Sequence, residues 1–193
     1  MSALRSLCVF CGHATGNDPA YSAAASFLGR HLASRGIELI YGGGHIGVMG
    51  ALAEAALEAG GRVVGIIPDF LTRVESAYLD LTELVVVGSM EDRKRQMMDR
   101  AQAFCVLPGG FGTLDEAFEV ITQKQLGRLL KPIVLVDIGG YFQPWKAMIN
   151  AVIERGFAAP NAHGLFQIVS GVEAVIPVLE AALNPQQDRS NAM

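Results

Sequence analysis

Arg62-Val63-Val64-Gly65-Ile66-Ile67-Pro68 is the stretch that decides the architecture. No polar side chain interrupts the run from Val63 to Ile67, so there is no in–out alternation. A strand with one wetted face alternates; a strand apolar at every position is buried on both faces, as in a parallel sheet covered by helices. Outward from it, short β-rich runs recur at 7–10, 37–41, 84–87, 104–107 and 133–136. Between them lie helical patterns at 19–34, 48–59, 90–100 and 113–126, with another near 144–155 and a last one over about 172–183. Strand–helix repetition with right-handed crossovers predicts an α/β fold: a Rossmann-like, doubly wound, mostly parallel sheet with helices on both faces. A single domain is expected over 1–183, and the polar stretch 184–193 reads as a loose tail. Ligands of such sheets bind beyond the carboxyl ends of the strands, so the loops that follow strands are where chemistry is sought.

Bulk properties narrow the function classes. The chain has 193 residues, 51% of them apolar, which is incompatible with disorder. A net charge of −4 offers no broad basic surface to nucleic acid or an anionic membrane. No apolar run is long enough to span a bilayer, and Met1 to Arg5 lacks a signal-peptide profile. Three cysteines in such a chain fit a reduced, cytoplasmic setting. Cys8 and Cys11 form C-x-x-C, but residues three apart on a strand face opposite sides, which suits neither a chelate nor a bridge. Cys105 reads as core. The histidines show no metal-ligand spacing, so no metal is expected.

Two glycine loops stand out. Tyr41-Gly42-Gly43-Gly44-His45-Ile46-Gly47 leaves a strand and opens a helix. Gly42, Gly44 and Gly47 satisfy G-x-G-x-x-G, and Asp69 lies about twenty residues on, where a ribose-binding acid is usual. Yet this fingerprint normally follows the first strand of its fold, and here it follows the second. The other loop is Leu107-Pro108-Gly109-Gly110-Phe111-Gly112-Thr113-Leu114-Asp115-Glu116. Glycines let backbone approach a ligand, and the first amides of the following helix point at an anion, with the Thr113 hydroxyl a further donor. Thr113-x-x-Glu116 equally fits a capping box.

A third feature is the helix opening Met90-Glu91-Asp92-Arg93-Lys94. Acids suit a helix start; Arg93 and Lys94 are unfavourable there. They point either to an anionic ligand or carboxylate in a shared cleft, or to two solvated side chains. Arg93, Met97 and Arg100 share one face, which puts Arg93 toward the interior and offers Met97 to a base. His45 is a candidate phosphate contact, while His31 reads as a packed or surface histidine and His163 and Trp145 as structural or interfacial.

Taken together, these residues resemble the Lonely Guy family of cytokinin-activating phosphoribohydrolases, also labelled "possible lysine decarboxylase". Pro108-Gly109-Gly110-Phe111-Gly112-Thr113-Leu114-Asp115-Glu116 resembles its P-G-G-x-G-T-x-x-E signature, and Ser89 to Lys94 its M-H-x-R-K element. Val9-Phe10-Cys11-Gly12, Gly42 to Gly50, Val120-Ile121-Thr122 and Gln125-Leu126-Gly127 continue the likeness, in order, from about Cys8 to Phe157. Glu91 stands where the family usually has His, and His13 where it often has Ser. The resemblance implies substrate contacts from Glu75, Arg93, Lys94, Gly109, Gly110, Phe111, Gly112, Thr113, Leu114, Asp115, Glu116 and Thr122. It implies Arg93 and Glu116 as the catalytic pair, and a homodimer. Gly42, Gly43 and Gly44 are a further candidate phosphate loop.

The activity so implied is hydrolysis of the base–ribose bond of a nucleoside 5′-monophosphate, AMP or an N6-modified AMP, without a cofactor. No pyridoxal-phosphate pattern supports the decarboxylase label. Two other readings stay open. One is a non-catalytic carrier of a phosphorylated cofactor such as molybdopterin, which uses both glycine loops but has no need of Arg93 and Glu116. The other is a dinucleotide oxidoreductase built on Gly42 to Gly47 and Asp69.

Overall fold

In a computed structural model, which describes residues 3–72 and 76–184, seven strands form one sheet. They are β1 (Ser6–Phe10), β2 (Glu38–Tyr41), β3 (Val63–Pro68), β4 (Glu83–Val87), β5 (Ala103–Val106), β6 (Ile133–Val136) and β7 (Gln167–Val169). Their order is β4-β3-β2-β1-β5-β6-β7, and every neighbouring pair is parallel. The helices are α1 (Pro19–Ser34), α2 (Gly47–Glu58), α3 (Met90–Arg100), α4 (Phe111–Gln125), α5 (Gln143–Glu154) and α6 (Val175–Leu183). The apolar run that suggested a two-sided sheet is β3, buried at all six positions.

Strand geometry explains the two cores. In β1 and the residue beyond it, Leu7, Val9 and Cys11 pack with Leu28 and Leu32 of α1, Leu52 of α2 and Leu179 of α6. Cys8 and Phe10 face the other way, toward Met97 of α3, Val120 of α4 and Trp145 of α5. Each fully buried side chain of leucine size contributes about 1.5–3 kcal/mol, so a sheet apolar on both faces is the main source of stability. The same alternation separates the C-x-x-C pair into different cores, as its spacing predicts. Cys8, Cys11 and Cys105 are free and buried, and burial pushes their thiols well above the ordinary range.

Strand order fixes the location of the site. The chain steps outward from β1 to β4, returns through α3 beneath the sheet to β5 on the other side of β1, and steps outward again to β7. The direction of winding therefore reverses between β1 and β5, and the loops leaving those two strands part to open a crevice.

Two local differences from the sequence reading have simple causes. β7 is a three-residue edge strand, too short to carry a periodic signal. The last helix begins with a separate 3-10 turn at Val172–Ala174 before α6. The tail beyond Asn184 lies outside the described residues. Among those described, no helix is long and apolar enough to cross a membrane.

Candidate active site

A cleft of about 480 Å³ opens at the carboxyl edge of the sheet. Its walls come from the segments that follow five strands: Cys11 and His13 after β1, Met49 after β2, Phe70 and Leu71 after β3, Met90 and Arg93 after β4, and Gly110 to Thr113 with Glu116 after β5. Phe70 and Leu71 are lining residues that sequence reasoning did not single out. Nothing in their local pattern marks them, because only the strand order brings these loops together.

The charged pair lies on the cleft floor. Ser89 caps α3 by accepting a hydrogen bond from the Asp92 amide (3.1 Å), and Glu91 and Asp92 sit favourably in its first turn. Arg93, in the same turn, points inward: its side chain is 5% exposed and that of Glu116 is 8%, with Nη2 3.8 Å from Oε1. The same Nη2 donates to the Gly42 carbonyl at 3.2 Å. Two opposite charges so little exposed to solvent support each other, so removing one weakens the compensation of the other.

Gly42 has a structural reason to be glycine. A Cβ there would stand 2.2 Å from Arg93 Nη2 and 2.9 Å from the Met49 sulfur. The first loop thus makes room for the guanidinium. Its helix amides are also occupied: Met49 donates to the Gly12 carbonyl at 3.0 Å and Val48 to Ala14 at 3.4 Å. Gly42, Gly43 and Gly44 are themselves buried.

The second loop is built differently. α4 is capped by Gly110, which has no side chain to bond its first turn. A Cβ added at Gly110 or Gly112 would meet nothing within 4 Å, so these two glycines leave open space rather than permit packing. Gly109, by contrast, is packed: a Cβ there would lie 2.2 Å from Thr113 Oγ1 and 2.7 Å from the Gly12 nitrogen. Thr113-x-x-Glu116 is not a capping box, because Thr113 lies inside the helix and Glu116 turns to Arg93.

The other candidate residues fall elsewhere. Lys94 donates to Asp115 (3.1 Å) and Glu119 (3.3 Å), joining α3 to α4 behind the cleft. With Glu91 it lines a separate charged hollow of about 630 Å³, so Glu91 does not face the Arg93 pocket. Leu114 is half-buried and Thr122 exposed on α4, and neither lines the cleft. Met97 is completely buried and is core, not a base platform: α3 runs beneath the sheet, and only its first turn reaches the edge. His45 is exposed and stacked on Tyr78 with ring centroids 3.9 Å apart, outside the cleft. Glu75 lies outside the described residues.

Fold and site together define a crevice at the reversal of the sheet, with an open helix start on its rim and a buried Arg–Glu pair on its floor. The family model described as "Possible lysine decarboxylase" matches residues 49–179, and the chain belongs to that family. A probable cytokinin riboside 5′-monophosphate phosphoribohydrolase of Oryza sativa subsp. japonica is 40% identical over 179 residues, covering 93% of this chain and 79% of that protein. A cytokinin riboside 5′-monophosphate phosphoribohydrolase of Arabidopsis thaliana is 39% identical over 179 residues, covering 93% and 84%. Among solved structures, the molybdenum cofactor binding protein from Rippkaea orientalis superposes with a TM-score of 0.72 at 19% identity, covering 95% of this chain and all of that one. The molybdenum cofactor carrier protein of Chlamydomonas reinhardtii gives 0.70 at 23%, covering 93% and 98%. At such identities these two show the shared fold alone.

Proposed function

We propose that this protein is a phosphoribohydrolase that cleaves the N-glycosidic bond of a nucleoside 5′-monophosphate of the AMP or N6-modified AMP type, releasing base and ribose 5-phosphate. The carrying observation is the buried Arg93–Glu116 pair on the floor of a cleft whose rim is a helix start with no side-chain cap. The names of the relatives support the same reaction. Base departure builds positive charge on the ribose, and a nearby carboxylate stabilises it and orients or deprotonates the incoming water. Glu116 takes this role, one helical turn from the amides of Phe111, Gly112 and Thr113 that receive the 5′-phosphate. Arg93, with its planar guanidinium beside the carboxylate, holds Glu116 in place. Glu75, Lys94, Leu114, Asp115 and Thr122 remain further candidate contacts. The carrier reading needs no buried catalytic pair, and the dinucleotide reading needs open amides at α2; neither fits the site as well.

A homodimer and a cytoplasmic setting belong to the same reading. Phe111, Leu126 and Leu130, which are 93%, 65% and 88% exposed, put an unusual apolar load on α4 and the turn after it. Three free, buried cysteines fit a reducing compartment. The activity is tested by chromatography of base released from AMP and N6-isopentenyladenosine monophosphate, with the nucleosides as controls. Base from the monophosphates alone supports the reading; nucleotide bound without release overturns it in favour of a carrier.

A further inference from the structure

The turn joining β6 to α5 is specified more tightly than a simple connection requires. Asp137 accepts from the Phe142 amide (2.8 Å) and from the Gln143 side chain. Gly139 and Gly140 both have positive φ, 60° and 81°, and the Tyr141 amide returns to the Ile138 carbonyl at 3.1 Å. What this turn delivers is Tyr141. Its ring stands edge-on to Tyr21, with centroids 6.0 Å apart, and its hydroxyl donates to the Gly109 carbonyl. With Gly12, His13, Gly109 and Gly110 it lines a hollow of about 230 Å³, which shares His13 and Gly110 with the cleft.

We propose that Tyr141 is a positioning residue for the phosphate loop, a role that rests on the function proposed above. In a planar trans peptide the C=O and N–H point in opposite directions. Holding the Gly109 carbonyl toward Tyr141 therefore turns the Gly110 N–H away from it, to join the open amides at the start of α4. A Gly–Gly peptide has no side chain to fix its orientation and samples both faces readily. Without the hydroxyl, the carbonyl oxygen is free to swing toward the anion and repel it. With it, the donors are oriented before the ligand arrives, which is the arrangement that binds charge most effectively.

The test is Tyr141→Phe, which keeps the ring and removes only the hydroxyl. Calorimetric titration with ribose 5-phosphate should show affinity reduced roughly tenfold, the scale of one lost hydrogen bond. The KM for AMP should rise by a similar factor with kcat changed far less, while the melting temperature falls by only a few degrees, the scale of one hydrogen bond, and adenine binding stays as in wild type. Tyr141→Leu, which also removes the ring, controls for packing and should lower the melting temperature. Wild-type affinity for ribose 5-phosphate in the Phe variant overturns the proposal. So does an equal loss for adenine and ribose 5-phosphate, or a wild-type protein that does not bind ribose 5-phosphate. If wild type releases no base from AMP but the Phe variant still binds ribose 5-phosphate more weakly, the reaction is wrong and the positioning role stands.

Discussion

The loops at Gly42–Gly44 and Gly109–Gly112 leave the two strands that flank β1, one on each side, and each opens a helix. In sequence they look like two versions of one device. In the molecule they differ in what occupies the space where a side chain would be. At Gly42 it is the Arg93 guanidinium, and the helix amides beyond it already serve carbonyls of the β1 loop. At Gly110 and Gly112 it is open space beside a helix start without a side-chain cap. A glycine motif therefore states only that backbone comes close to something. Whether that is protein or ligand depends on which other segments fold against it.

The comparison can be broken at several points. The largest effect is expected from Glu116→Gln, which keeps the volume of the group that both loops serve. It should lower kcat by about 10³-fold, within the range for a lost acid–base or electrostatic group, while calorimetry still detects nucleotide. Turnover near wild type would remove Glu116 from the chemistry. Gly42→Ala comes next. Its Cβ displaces the guanidinium, so kcat should fall about 10²-fold, and overpacking should cost about 1–3 kcal/mol, seen as a lower melting temperature. A variant as stable and active as wild type would show that the first loop does not hold Arg93. Gly110→Ala should do the reverse: an unchanged melting temperature and a KM for AMP raised about tenfold, because the methyl enters the space meant for phosphate. A drop in stability with KM unchanged would make the two loops alike after all.

The smallest effect lies just beyond the second loop. The Gln123 amide, followed by the Lys94 ammonium, holds the Glu119 carboxyl below the usual carboxylate range against the opposing pull of partial burial. A carboxyl lowered in the folded state stabilises above its unfolded value of about 4.3 and loses that contribution as pH falls through its folded value. Glu119→Gln should therefore cost less than about 1 kcal/mol at neutral pH, since the pair is partly exposed. The difference should vanish in strong acid, as denaturant melts at several pH values would show. A difference that persists in acid would mean packing, not charge, joins α3 to α4.

How much was legible can be judged from particular residues. α1 and α3 have the bounds expected from sequence, because Asp18 and Ser89 are local caps followed by sustained helical patterns. Arg93 and Glu116 were legible as a family pair and as an oddly placed cation, and the structure does bring them together. Met97 was misplaced by the same rule that found Arg93: both share a helix face, but only one end of that face reaches the sheet edge. Tyr141 gave no signal, since its partner Gly109 lies 32 residues away and the bond is to backbone, which carries no side-chain identity.

The sequence by itself determined the layers. Apolar runs without alternation require a sheet buried on both faces, and that follows from side-chain hydrophobicity and local geometry alone. It also determined where candidate chemistry sits, because loop and helix-start residues are recognisable within a few positions. Only the tertiary structure decided which glycine loop is packed and which is open, which cation faces the cleft, and which tyrosine reaches the loop. Those outcomes depend on strand order and on contacts between segments far apart in the chain, and no local pattern contains them.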